Sequence, residues 1–419
     1  MHRGGVEWSV RRGWEQKLFS DGSPGWFDLD RDPRATRVKT GHRRGIWRIA
    51  IGDDTLFAKV VEVETHSPLA RVRFALRWTT SDREWRMCVE GMRRGAPVVV
   101  PVALARRTAV RPATVLLTEA VPNAKTLSMA WDDATSTSDP GLRQHRVNRL
   151  AHAVANLYAD AHRVGFVHLD GHPGNILVAD CDTDRFIARF ADTTDVRLSN
   201  GHPPWIQIVR SLAQLDHYMR RVATRTQRLR FLHDYLLSLQ APRSQRHEIW
   251  MQHKMVPAIL AAEVVHAGVL ARQRDRRITR RGRYFTRLTL CGRWRATVVR
   301  ALERRHVFRE PQTPDFTLDR WRKLLQGIDS ETDGIAVVRR RLAEEGLSVQ
   351  TRSAGGFFQT LFWRANGSPA WRVFFHCHAL RHRDIDAPLV LAVLEHRTKL
   401  GGLDRTLMIY PERRNGKER

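Results

Sequence analysis

The chain has only four cysteines in 419 residues, Cys88, Cys181, Cys291 and Cys377. They are far apart and form no Cys-x-x-Cys pair, which excludes a disulfide framework and a thiolate zinc site. Long hydrophobic runs are missing too. Met1 to Gly13 carries charges where a signal peptide would have its apolar centre, and no run of about 18 apolar residues exists to cross a bilayer. The nearest approach, Met255 to Leu270, is broken by Pro257, Glu263 and His266, so a buried helix is expected there and the chain is expected to be cytoplasmic. Acidic residues are scarce, 44 Asp plus Glu against 71 Lys plus Arg, for a net charge of +27. Lysine is scarcer still: all but eight of the basic residues are arginine.

A hydrophobic fraction of 42% supplies a substantial core, which excludes a wholly disordered polycation. The length predicts two or three domains, and the basic surplus must lie on folded surfaces. Much of it falls between residues 201 and 310, with 23 Lys plus Arg and 7 Asp plus Glu. The densest part, Ala271 to Arg309, includes Arg276-Arg277, Arg280-Arg281 and Arg304-Arg305.

Strand-like runs Ile46–Ile51 and Leu56–Val61, joined by Gly52-Asp53-Asp54, predict a β-hairpin. Between Thr79 and Arg94 the period becomes helical, with Ser81 as a candidate N-cap and Gly95 as a stop. Strands are expected at Val98–Ala103 and Thr114–Thr118, and Asp132–Pro140 has loop composition. A helix through Leu150, Val154, Leu157 and Ala161 ends at Gly165, and a helix pair spans about 208–239. In the last ninety residues, strands are expected near Phe357–Trp363, Ala370–Phe375 and Leu407–Tyr410.

The most informative string is His168-Leu169-Asp170-Gly171-His172-Pro173-Gly174-Asn175-Ile176-Leu177-Val178, followed by Phe190-Ala191-Asp192. Phosphoryl transfer from a nucleotide needs a carboxylate to orient the attacking hydroxyl and an oxygen cage for Mg²⁺. An Asp with an Asn five positions on can aim both side chains at one point from a single tight loop. A second Asp just after the next strand completes the cage.

These residues resemble the kinase-like phosphotransferases, and among them the bacterial lipopolysaccharide core-sugar kinases that phosphorylate Kdo or heptose. The resemblance covers roughly Arg37 to Leu239 and is most specific in His172-Pro173-Gly174-Asn175-Ile176-Leu177. It implies an α+β, bilobal, protein-kinase-like fold with a small β-rich N-lobe and a helical C-lobe, using ATP and Mg²⁺. It further implies Asp170 as the catalytic carboxylate and Asn175 and Asp192 as metal ligands. Lys59, in Leu-Phe-Ala-Lys-Val, resembles the strand lysine that contacts the phosphates, and Glu84 its helix partner, with Glu90 on the same helix as the competitor. Gly41 and Gly45 occupy the place of a nucleotide-covering loop, and Thr118-Glu119-Ala120-Val121 that of the hinge, where Glu119 and Val121 would meet the adenine through their backbone.

Three departures qualify the resemblance. Leu169 replaces the arginine that reads a phosphorylated activation loop, Thr193-Thr194-Asp195 replaces Phe-Gly after the metal aspartate, and no Ala-Pro-Glu motif follows. Asp195 is a candidate further metal or substrate group. His382-Arg383-Asp384 imitates a kinase triplet, but Leu389 stands where its Asn would fall. His376 and His378 would share a face on a strand, without a fourth ligand at zinc spacing.

The organisation expected is a kinase-like domain over 30–240 (N-lobe about 30–120, C-lobe about 121–240), an Arg-rich, mainly helical or linking region over 241–330, and a small α/β unit over 331–419. The expected partner is a sugar of an anionic glycolipid, with the basic segment held peripherally on the anionic inner face of the cytoplasmic membrane. A soluble alcohol or protein hydroxyl is the alternative acceptor, and a non-catalytic scaffold or pseudokinase the alternative role. Nucleic acid is less favoured, because few aromatics, such as Tyr284, Phe285 and Trp294, interleave the basic run.

Overall fold

Alternation along two paired strands builds the first core: Trp47 and Ile49 on one, Leu56, Ala58 and Val60 on the next, are all buried on the same face. The computed structural model describes residues 1–20, 25–41, 43–64, 67–108, 111–181, 185–239, 245–282, 284–301, 317–328, 332–383 and 385–412. It divides into two units, Met1–His266 and Ala267–Arg419.

The first unit opens with β1 (His2–Arg3), β2 (Val6–Val10) and α1 (Glu15–Phe19), then β3 (Ala35–Gly41), β4 (Arg44–Ile51) and β5 (Asp54–Glu62). Helices α2 (Pro68–Ala75) and α3 (Thr80–Arg94) precede β6 (Pro101–Arg107) and β7 (Ala113–Glu119). Seven strands form one sheet in the order β1-β2-β6-β7-β5-β4-β3. An N-lobe starting near residue 30 omits part of this layer: β2 pairs with β6, and Trp8, Trp14, Leu18, Trp26 and Leu29 complete the core. Helix α3 is capped by Thr79, whose hydroxyl accepts from the Asp82 amide while the Asp82 carboxylate accepts from the Thr79 amide. Ser81, the expected cap, is instead buried with its hydroxyl 2.8 Å from that of Thr114. Val98 and Val99 precede β6 and bond with Phe190 instead, tying the sheet to the following lobe.

The C-lobe comprises β8 (Ala124–Thr126), α4 (Leu127–Ser136), α5 (Pro140–Arg163), β9 (Phe166–His168), a 3-10 turn at Pro173–Asn175, β10 (Ile176–Cys181), β11 (Arg185–Phe190), β12 (Val196–Leu198), α6 (Trp205–Met219) and α7 (Arg225–Ser238). Most of Asp132–Pro140 is thus helical or caps a helix, contrary to its loop composition. The buried stripe Leu127, Trp131 and Ala134 outweighs the polar content of α4, and Asp139 caps α5 by accepting from the Leu142 amide at 2.8 Å. Tyr158, Phe166, Phe190 and Leu212 lie in the lobe's core.

Helix α8 (Gln245–Ile278) follows. Met255 and Ile259 are buried in the C-lobe core, but Leu260, Val264, Val265 and Val269 are exposed, so the expectation of a buried helix fails for most of its surface. Its segment His253–Ile278 is the one helix among the described residues long and apolar enough to cross a membrane.

The second unit is a five-stranded antiparallel sheet, order β13-β14-β16-β17-β15, built from β13 (Phe285–Thr289), β14 (Trp294–Val299), then α9 (Leu318–Leu324), α10 (Thr332–Glu344), β15 (Leu347–Ser353), α11 (Phe357–Asn366), α12 (Pro369–Arg381), β16 (Ala392–Arg397) and β17 (Leu403–Pro411). Trp321, Leu324 and Leu342 pack in one core of this unit, and Phe374, Cys377 and Met408 in another. Residues 285–299, expected to be helical or linking, pair into this sheet. The segments Phe357–Trp363 and Ala370–Phe375, expected as strands, are helical. Their aromatic content favours strands, but Ser368 caps α12 through the Trp371 amide at 3.0 Å, with Pro369 in its first turn.

Candidate active site

Alternation on β5 turns Lys59 away from the sheet core, and α3 brings Glu84 opposite it. The Lys59 ammonium donates to Glu84 Oε2 at 2.6 Å and to Asp192 Oδ2 at 3.1 Å. Glu90 is engaged elsewhere, by Arg93 and Arg94, so the helix partner of Lys59 is Glu84. Helix α3 is held in phase by the buried Asp82–Arg106 ion pair and by the close approach of Gly91 to Phe166, where a Cβ would lie 2.8 Å from the ring.

One ammonium between two carboxylates cannot satisfy both. Lys59 is buried, which disfavours its charge, but attraction to Glu84 and Asp192 outweighs this and raises its pKa. Burial opposes the charge of Asp192 too, yet Lys59 and Thr194 hold its carboxyl below the usual range. The more deeply buried Glu84 carries the excess negative charge: desolvation and the facing Asp192 push it up to about 7.

The loop between β9 and the 3-10 turn carries Asp170 and Asn175. The Asn175 amide donates to Asp170 Oδ2 at 2.8 Å and to the Asp170 carbonyl at 3.2 Å. His168 joins this loop to the Asp192 segment: its Nδ1 accepts from the Asp170 amide at 3.2 Å, and its Nε2 donates to the Asp192 carbonyl. That pattern defines a neutral tautomer, and burial lowers the pKa of His168 accordingly. The ring stacks on Phe190 at 4.6 Å. The lysine–carboxylate triad and the Asp–Asn pair are therefore joined through one imidazole.

Several supports of this loop carried no motif in the sequence. Ser211 donates to the His168 carbonyl at 2.7 Å, and the Gly171 amide donates to Gln214 Oε1 at 3.1 Å. Gly171 leaves no room for a side chain, since a Cβ would lie 2.6 Å from the Tyr158 hydroxyl. Polar Ser211 and Gln214 interrupting the apolar face of α6 were the available signal. Thr194 donates to Asp192 Oδ1 through its amide at 3.0 Å and its hydroxyl at 2.6 Å, an Asp-x-Thr turn legible in the string. Thr193 is buried and donates to the Glu84 carbonyl at 3.1 Å, with Cys88 Sγ also 3.1 Å from its hydroxyl. It thus links α3 to the loop after Asp192.

The remaining expected positions are less direct. Gly41 and Gly45 lie at the β3–β4 hairpin, but Gly45 has a local cause: a Cβ there would overlap the Trp47 indole. The Glu119 side chain pairs with Arg11 at 2.8 Å and its amide with the Val100 carbonyl, while the Val121 carbonyl accepts from Ala124. Asp195 is exposed, and its carbonyl accepts from the Leu169 amide at 2.7 Å. No group of three metal-binding side chains occurs among the described residues. His376 and His378 lie on α12 rather than a strand, where a spacing of two turns them to different sides. His378 is buried against the Val390 carbonyl at 2.8 Å, and His382 pairs with Asp275 at 3.1 Å.

A β-rich lobe bearing a lysine–glutamate pair, over a helical lobe bearing an Asp–Asn loop and a following Asp, defines a protein-kinase-like, ATP-dependent phosphotransferase. Residues 38–246 match the lipopolysaccharide kinase (Kdo/WaaP) family. Similar solved structures include WaaP in complex with acyl carrier protein, with 18% identity, a TM-score of 0.44 and coverage of 61% of this chain and 98% of that one. The ROP18 kinase domain in complex with AMP-PNP and sucrose has 14% identity, a TM-score of 0.33 and coverage of 55% and 81%. A Toxoplasma gondii rhoptry antigen kinase domain has 13% identity, a TM-score of 0.35 and coverage of 55% and 84%. No curated protein sequence matches the chain.

Proposed function

We propose that this kinase transfers the γ-phosphoryl group of ATP, with Mg²⁺, to a sugar hydroxyl of lipopolysaccharide core or a related anionic glycolipid. The observation that carries the reading is the Lys59–Glu84–Asp192 triad joined through His168 to the Asp170–Asn175 pair. Lys59 would brace the phosphates, held in place by Glu84. Asp170 would orient the acceptor hydroxyl and take its proton. The donated Asn175 amide keeps the side chain turned so that Oδ1 can meet a cation.

The site suits a divalent cation on its own chemistry. It offers hard oxygen donors in Asp192 and Asn175, and its buried carboxylates exceed their single ammonium, as the raised Glu84 records. When bound, Mg²⁺ supplies positive charge where the transferring phosphoryl group develops its own negative charge. Gly41, Gly45 and the backbone at Glu119 and Val121 would cover the nucleotide and meet its base.

Membrane contact follows from the acceptor. Arg276, Arg277, Arg280 and Arg281 are all exposed at and just beyond the end of α8, and clustered arginines near an anionic bilayer are worth about 1 kcal/mol each. Arg304 and Arg305 lie outside the described residues. The kinase would thus work at the inner face of the cytoplasmic membrane. Mass spectrometry of glycolipid from a deletion strain tests the acceptor directly. Loss of one phosphate from the core sugars, restored by the wild-type chain and not by Asp170→Asn, is the expected result. An unchanged glycolipid would turn the search to a soluble alcohol or a protein hydroxyl.

A further inference from the structure

Helix α11 carries an apolar row with no cover among the described residues. Phe357, Phe358, Leu361 and Phe362 are spaced i, i+1, i+4 and i+5, so they share one face. They are 58, 85, 38 and 54% exposed, whereas Trp363 on the other side is 3% exposed. Thr360 abuts Gly402, and Arg364 donates to the Leu400 carbonyl at 3.4 Å. These contacts bring the adjoining turn alongside the helix and add Leu400, 75% exposed, to the apolar surface. Other exposed large apolar residues of this unit, such as Val337 and Ile385, are isolated in sequence. A contiguous exposed patch of this kind marks a contact surface.

Charge indicates what it contacts. From Gly346 to Arg383 there is no Asp or Glu and there are five arginines. Arg352 on the strand leading to α11, Arg364 on the helix and Lys399 beside Leu400 are all exposed. Aromatic and aliphatic side chains standing proud, with cations beside them and no carboxylate on the stretch from Gly346 to Arg383, match the acyl–headgroup boundary of an anionic bilayer. A second copy of the chain would bring like-charged rims together, because a two-fold contact places the same patch on both sides.

We propose that α11 and the Leu400 turn form a monotopic docking surface that inserts into an anionic lipid bilayer, with Phe358 and Phe362 as anchors. The surface is separate in sequence from Arg276–Arg281 and differs from them in kind, since apolar insertion is not screened by salt. The proposal deepens the glycolipid reading and rests on it for its purpose. Vesicle binding needs neither nucleotide nor acceptor, so the two can fail separately.

The test is flotation of the full chain with phosphatidylcholine vesicles, with and without phosphatidylglycerol, at low and high salt. The wild type is expected to prefer the anionic vesicles and to keep a bound fraction at high salt. Phe358→Ser/Phe362→Ser should lower binding at least tenfold at both salts, with unchanged thermal unfolding and ATP affinity. Arg352→Gln/Arg364→Gln/Lys399→Gln should lose binding mainly at low salt. Wild-type binding by the serine variant, or equal binding to neutral and anionic vesicles, would overturn the proposal. So would a wild-type dimer that the serine variant dissociates, with no vesicle binding by either. Inactive enzyme that still floats would instead count against the phosphotransfer reading alone.

Discussion

The Lys59 ammonium lies 3.1 Å from the Asp192 carboxylate, 133 residues further along the chain. The contact joins the β-lobe to the segment after β11, and the same ammonium is 2.6 Å from the nearly inaccessible Glu84. The three charges therefore act as one unit.

Removing the cation should cost both activity and stability. Lys59→Met is expected to lower phosphate transfer by about 10²-fold or more, the usual scale for a transition-state charge contact. It should destabilise the fold by about 3 kcal/mol, because Glu84 is left buried without its partner. Adding Glu84→Gln should restore much of the stability and none of the activity. Chemical denaturation and a phosphate-transfer assay measure the two effects, and an additive double variant would show that the pair is not coupled.

Asp192 and Asp170 should fail differently. Asp192→Ala is expected to lose Mg²⁺-dependent nucleotide binding. Asp170→Ala should keep it and lose turnover by about 10²- to 10⁴-fold, the range for a general base. Calorimetric titration with Mg-ATP separates them. Equal nucleotide affinity in the wild type and Asp192→Ala would remove Asp192 from the metal site.

Nucleotide binding should release a proton. Glu84 is held up to about 7 in the free protein by burial and by Asp192, so added positive charge beside Asp192 should drive it to the carboxylate. Mg-ATP affinity should then rise from about pH 6 to about pH 8. The sign for folding is opposite: a carboxyl raised above its unfolded value stabilises the free protein at low pH, and that contribution is lost as pH rises through about 7. Calorimetry in buffers of different ionisation enthalpy counts the proton, and Glu84→Gln should abolish it. A wild type with no released proton would show that Glu84 is already ionised.

Gly165 should not tolerate alanine. Its φ of +75° is left-handed, and a Cβ would overlap the carbonyl oxygens of Ser199 and Gly201. Gly165→Ala is expected to cost more than about 2 kcal/mol from the conformation and the overlap together. Gly95→Ala, equally left-handed at φ +79° but with open space around it, should cost less. Denaturant midpoints of the two variants make the comparison; equal losses would mean that the overlap at Gly165 is relieved by backbone movement.

The grouping of the candidate site residues was legible in the sequence because its parts are local. Asp170 and Asn175 share one loop, Asp192 follows the next hairpin, and strand alternation alone turned Lys59 away from the apolar face of β5. Gly165 and Gly95 marked helix ends by their need for positive φ. The spacing therefore carried the Asp–Asn geometry without any knowledge of the rest of the chain.

Tertiary packing decided what local periodicity leaves open. Glu84 and Glu90 lie on one helix, and tertiary contacts such as the Asp82–Arg106 pair and the close approach of Gly91 to Phe166 hold the rotation that faces Glu84 to Lys59. The Thr193 hydroxyl meets the Glu84 carbonyl across 109 residues of sequence, a contact made by the packing of α3 against the loop after Asp192. The aromatic segments around Phe357 and Phe374 have the composition of strands, and capping by Ser368 with packing of Trp363 and Phe374 settled them as helices. A periodic pattern states which face of an element is apolar, but burial is a relation between elements. Composition therefore determined the amount of core and charge in this protein, and the fold determined which apolar faces found partners and which, like that of α11, remained exposed.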